Sequence, residues 1–156
     1  MPARVYVETS VPSAYVSTRT DPGSVFRREV TRRWWAEQRE QFETLISDNV
    51  VIELADGKWP GQDEALHLVA PVPKLAIDDT ILRVMETYIT ERLVPDAPGG
   101  DALHLAVACA HEVDFLLTWN IRHLANPNKT AHLIVINRRL RIGTPQIVTP
   151  DALWTE

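Results

Sequence analysis

The stretch DALHLAVACAHEVDFLLTWN, residues 101–120, opens on an aspartate, runs through an apolar segment and closes on an asparagine. DALHLAVACAHEV has so few polar residues that a helix formed by it must be buried on most sides. FLLTW reads as a strand buried on both faces, the kind found in a parallel sheet. A buried helix feeding a buried strand is half of an α/β unit. Alone, Asp101 could be no more than a helix cap and Asn120 no more than a turn former.

Outward from this segment, strands alternate with helices. RVYV at 4–7 is a strand that Pro12 breaks. From Ser24 to about Leu45, Phe26, Val30 and Trp34 recur every four residues and predict one helix. Ser47 reads as an N-cap and Gly57 as C′ of a short helix, DNVVIELAD, that carries Glu53. WPGQDEALHLVAP allows another short helix, KLAI a brief strand, DDTILRVMETYITERL a helix with acids at its favourable end, and VPDAPGG a loop. A last helix is expected near 129–142, ended by Gly143, and QIVT closes the chain as a strand. No repeat or linker marks a second domain, so residues 1–156 are expected to form one α/β domain with a small parallel sheet covered on both faces.

Composition narrows the chemistry. The net charge of −5 repels nucleic acid overall, so binding to it must rest on local basic patches or on metal ions. No apolar run reaches the ~18 residues that cross a bilayer, and the N-terminus lacks a signal peptide's long apolar core. Together with the lone Cys109, which cannot form an internal disulfide, this points to a cytoplasmic protein. The histidines show no HExxH spacing and there is no CxxC, which argues against zinc.

Polar groups fall where a parallel sheet gathers its ligands, outside the carboxyl ends of strands. Glu8 follows the first strand, Asn120 follows the central one, and Asp101 starts the helix between. Glu53 is a fourth group. A charge after VYV costs energy in a central strand unless it is paired. Such oxygens without histidine or cysteine suit Mg²⁺ or Mn²⁺. His104, one turn after Asp101, could face the same cleft, although a satisfied buried histidine is the plainer reading. Arg28, Arg32, Trp35 and Arg39 form one helical stripe able to track a phosphate backbone; Glu29, Arg33 and Glu37 read as ion pairs of a solvated face. Arg122 and His123, beside Asn120, are placed to touch a substrate phosphate. Of the adjacent Trp34 and Trp35, one is expected in the core and the other at an interface.

Taken together, VYVETSVPS, VIELADG, GGDALHLAVACAHEVDFLLTWNIRHLAN and IVTPDAL resemble the PIN-domain family, and within it the VapC-type ribonuclease toxins of bacterial toxin–antitoxin pairs. The resemblance runs from residue 4 to residue 153. It implies a three-layer α/β/α fold and a metal-dependent endoribonuclease that hydrolyses RNA phosphodiesters with Mg²⁺ or Mn²⁺. By position, Glu8, Glu53 and Asp101 match the family's three acids and Asn120 a fourth that is often Asp. Thr9 and Ser10 match the polar pair after the first acid, and Thr118 a threonine before the fourth. Glu8 is one methylene longer than the usual Asp, and Asn120 lacks a charge, which favours one metal over two. The resemblance further implies a homodimer and a cognate antitoxin protein. The alternatives are an inactive PIN-like module that binds RNA or a protein, and a small-molecule phosphatase, which the lack of an Asp-x-Asp pair after the first strand disfavours.

Overall fold

The computed structural model describes residues 1–94 and 100–156. Its elements are β1 (Arg4–Val7), α1 (Ser10–Tyr15), α2 (Pro22–Glu37), β2 (Glu43–Ser47), α3 (Asp48–Ala55), α4 (Gln62–Val69), β3 (Lys74–Leu75), α5 (Asp79–Thr90), α6 (Gly100–Ala110), β4 (Phe115–Leu117), α7 (Pro127–Leu140) and β5 (Gln146–Val148). Most of the loop expected at VPDAPGG, residues 95–99, lies outside the described residues.

The strands form one parallel sheet in the order β3-β2-β1-β4-β5. In β1, Val5 pairs with Thr44 on one side and Phe115 on the other. Val5, Tyr6 and Val7 are all buried, and since successive side chains point to opposite faces, both faces of the sheet are covered. The architecture is therefore α/β with helices on an all-parallel sheet, as a three-layer arrangement requires. From β1 the chain steps outward to β2 and β3, then returns to place β4 and β5 on the other side. The order reverses between β1 and β4, and at such a switch point a crevice opens beyond the strand ends.

Four local expectations are corrected. The helix predicted to Leu45 stops at Glu37; a 3₁₀ turn, Arg39–Gln41, follows, and residues 43–47 form β2. The NH of Glu43 donates to the carbonyl of Ala3 (2.9 Å), so pairing with β1 captures a segment whose apolar spacing alone continued the helix. Pro12 does not break the chain. It lies in the first turn of α1, where its missing NH has no intrahelical partner to lose. The last helix starts at Pro127, with Asn126 as its cap, and ends at Arg141 in the left-handed conformation (φ 60°) rather than at Gly143. Finally, Trp34 and Trp35 are both buried: Trp34 donates its indole NH to the carbonyl of Leu153 (2.9 Å), and Trp35 is covered by Tyr15 and the Arg39 guanidinium.

Cys109 is buried, and burial pushes its thiol pKa up. It touches Asn137, a buried amide that also accepts from the Tyr88 hydroxyl (2.5 Å) and ties α5, α6 and α7 together. No helix among the described residues is long and apolar enough to cross a membrane.

Candidate metal centre

The crevice beyond β1 and β4 gathers the polar groups. Glu8 follows the last residue of β1 and is 6% exposed. Its carboxylate accepts from the backbone NH of Ser10 (3.1 Å), from the Ser10 hydroxyl and from the Thr118 hydroxyl (2.6 Å). Thr118 comes directly after β4, and Ser10 also accepts from the NH of Trp119 (2.8 Å). The strand ends thus clamp Glu8 with neutral donors only. Among the described residues no Lys or Arg pairs with it. A buried carboxylate without a charged partner is costly, and a bound cation would offset that cost.

Glu53 reaches the same place from α3. Ser47 precedes that helix as expected, but its hydroxyl bonds Tyr6 instead of capping the backbone. Glu53 Oε1 accepts from the Thr9 hydroxyl (2.5 Å) and faces His104 Nε2 (2.5 Å). Burial alone would raise the Glu53 pKa. The hydrogen bond and charge of His104, with the Thr9 hydroxyl, outweigh it and hold the carboxyl below its usual value. Gly100, the first residue of α6, makes this approach possible: a Cβ there would stand 2.1 Å from Glu53 Oε2.

His104 is fully buried in α6. An ionised Glu53 only accepts, so Nε2 carries the proton that faces it. Nδ1 lies 2.6 Å from the Tyr6 hydroxyl, which lies 2.7 Å from the Ser47 hydroxyl. Burial raises the Tyr6 pKa far above its usual value, so the ring keeps its hydroxyl. Both hydroxyls can donate or accept, so this chain can reverse: Nδ1–H can donate to Tyr6 and leave Nε2 free as a ligand. Glu8, Glu53 and His104 each offer one atom within 4.8 Å of the others, a spacing at which three groups can hold one cation. Two carboxylates and an imidazole depart from the all-oxygen donor set expected from the sequence.

Asp101 and Asn120 form a second pair. Asp101 sits inside the first turn of α6, not ahead of it. Both its oxygens lie 3.3 Å from the Asn120 amide nitrogen. Asn120 also accepts from the NH of His123 (3.1 Å), which is the turn role, and lines the same cleft as Glu8. The two ends of the opening stretch therefore touch, whereas Asp101 lies outside the three-residue cluster.

The basic candidates separate. Arg28 donates to the carbonyls of Ser17 (2.9 Å) and Arg19 (3.3 Å), and Arg32 to that of Tyr15 (2.9 Å), so both clamp the end of α1. Arg33 pairs with Glu37 (3.7 Å) as expected, but Glu29 takes Arg28 (3.5 Å). Arg122 is exposed, and the His123 side chain lines a separate pocket with Leu93, Leu105 and Lys129. The cations that line the cleft with Glu8 and Asn120 are Arg19 and Arg27, which helical spacing does not single out.

Comparison of the chain with protein-family models, with curated proteins and with solved structures finds no match.

Proposed function

We propose that the protein is a metal-dependent endoribonuclease, the reading that its resemblance to PIN-domain ribonucleases and the placement of its acids support together. The observation that carries it is Glu8: a buried carboxylate clamped, among the described residues, by neutral donors alone, beside a second carboxylate and a histidine, in a crevice open to solvent. A divalent cation held there supplies Lewis-acid polarisation of a phosphodiester and acidifies a water.

The chain's own groups divide the remaining work. Glu8 and Glu53 provide negative charge, kept in place by Ser10, Thr118 and Thr9. The lowered pKa of Glu53 makes it a poor base and a good ligand. His104 orients Glu53 or joins it as a ligand. Asp101 and Asn120 steer the attacking water, which adds to phosphorus opposite the departing 3′ oxygen. By the same resemblance the enzyme is the toxin of a toxin–antitoxin pair and works as a homodimer held in check by an antitoxin protein; the composition and the lone Cys109 put its work in the cytoplasm.

A second reading, a PIN-like module that binds RNA without cutting it, is favoured by the Asn120 amide. It already satisfies both oxygens of Asp101 with a neutral partner. One assay separates the two. Purified protein should cleave single-stranded RNA in Mn²⁺ or Mg²⁺ and stop in EDTA. Glu8→Gln and Asp101→Asn should each cost about 100-fold. Cleavage that survives EDTA rules out the metal mechanism, and binding without cleavage establishes the module. Expression should arrest bacterial growth unless the neighbouring reading frame is expressed with it; unaffected growth removes the toxin assignment.

A further inference from the structure

The cleft that holds Glu8 and Asn120, about 430 Å³, has a second wall contributed by α2 and the segment before it. That wall carries Arg27 and Arg19, and Trp119 completes it. The cations of this region differ in what already engages them. Arg28 and Arg32 are spent on backbone carbonyls, Arg33 on Glu37 and the Trp154 ring, and Arg39 on Glu40 and Trp35. Arg19 lies 3.4 Å from Asp21. Among the described residues no hydrogen bond, ion pair or aromatic ring engages the Arg27 guanidinium, although its side chain lines the cleft.

Next to it stands an aromatic pair. Phe26 is 53% exposed and meets Trp119 edge to face, with ring centres 6.2 Å apart. The Trp119 indole NH is already given to the Thr31 hydroxyl (2.8 Å), so the ring is held rigid and offers only apolar surface. An uncommitted guanidinium beside exposed aromatic surface matches a chain that alternates phosphates with planar bases. An acidic peptide would use the cation and leave the rings bare. The acidic floor of the cleft and the net charge of −5 also demand a local cation before any polyanion can enter.

We propose that this wall is a binding subsite for single-stranded polynucleotide, with Arg27 on the phosphodiester chain and the Phe26–Trp119 pair against a base. The ligand class rests on the nuclease reading; the measurement does not. Anisotropy of a labelled oligouridylate of about ten nucleotides, titrated in EDTA, reports binding without hydrolysis. Arg27→Glu should weaken binding at least about tenfold, and Arg27→Ala should lower the salt slope by roughly one phosphate contact. Phe26→Ala should weaken it with the salt slope unchanged. Arg33→Glu, the same charge change at a position of α2 that does not line the cleft, should bind as wild type does.

Equal losses in Arg27→Glu and Arg33→Glu would reduce the effect to overall charge and overturn the subsite. So would wild-type binding by Arg27→Glu, or a polyglutamate peptide that binds where oligouridylate does not. Oligouridylate held through Arg27 yet never cut in Mn²⁺ defeats the nuclease reading and keeps the subsite. RNA cut by Arg27→Glu at an unchanged KM does the reverse.

Discussion

At Asn120 a single atom sets the charge balance of the cleft. Its amide nitrogen, 3.3 Å from both oxygens of Asp101, gives that side chain a neutral donor. Asn120→Asp replaces this donor by a second carboxylate. Two like charges at contact distance destabilise the metal-free protein. The variant should therefore melt below wild type in EDTA and gain more from Mn²⁺, because the added charge also attracts the ion. Thermal melts with EDTA and with Mn²⁺ check this. An equal gain in both proteins would return Asn120 to its turn role with His123. Glu8, Glu53, Asp101 and Asn120 were singled out by their places along the chain and by the family resemblance, since each alone had an ordinary use as a cap, a turn former or a surface charge. His104 could be read as facing the cleft, with a satisfied buried histidine as the plainer alternative, but its partner could not be read. Its partner Glu53 is 51 residues away, and no local pattern records that distance.

Among the elements, α2 positions the cationic wall, and Asp21 fixes where α2 begins. The Asp21 carboxylate accepts from the NH of Ser24 (3.1 Å) ahead of Pro22. The hydrogen bonds from the Ser24 side chain and backbone, in that order, hold its pKa below the usual carboxylate value. A carboxyl depressed in the folded state stabilises above its unfolded pKa, and that stability is lost as pH falls through the folded value. Asp21→Ala should thus lower the melting temperature at neutral pH. The gap to wild type should shrink below the ordinary carboxylate range, while Asp21→Asn should keep the cap and lose the pH dependence. Melts across an acid titration test both. Where α2 ends was not legible. Its apolar period runs on into residues that β1 draws into the sheet, so a long-range pairing overrode a local repeat.

Across the whole molecule, the candidate metal centre forms only when three separate elements are assembled. Glu8 comes from the end of β1, Glu53 from α3 and His104 from α6. An ion that needs all three binds only the folded state. At a concentration near 100 times its dissociation constant it adds about 2.7 kcal/mol. For a chain of this length that is a rise of roughly 5–10 °C in melting temperature. Wild type should show it in Mn²⁺, and Glu8→Gln should lose most of it. A melting temperature indifferent to Mn²⁺ in wild type would dissolve the proposed centre.

The strand-and-helix alternation and the buried character of the helix and strand read from Asp101 onward follow from the sequence by itself, because periodicity and caps are local and the cost of burial is additive. The strand order, with its reversal between β1 and β4, is what brings Glu8 against Thr118 and sets Glu8 and Asn120 in one cleft. The same assembly turned Arg28 and Arg32 onto the end of α1 and left Arg27 facing the cleft. Helical spacing says which side chains share a face. Only packing decides what that face meets, since hydrophobic burial rotates the whole helix to suit its apolar side and carries every charged residue with it.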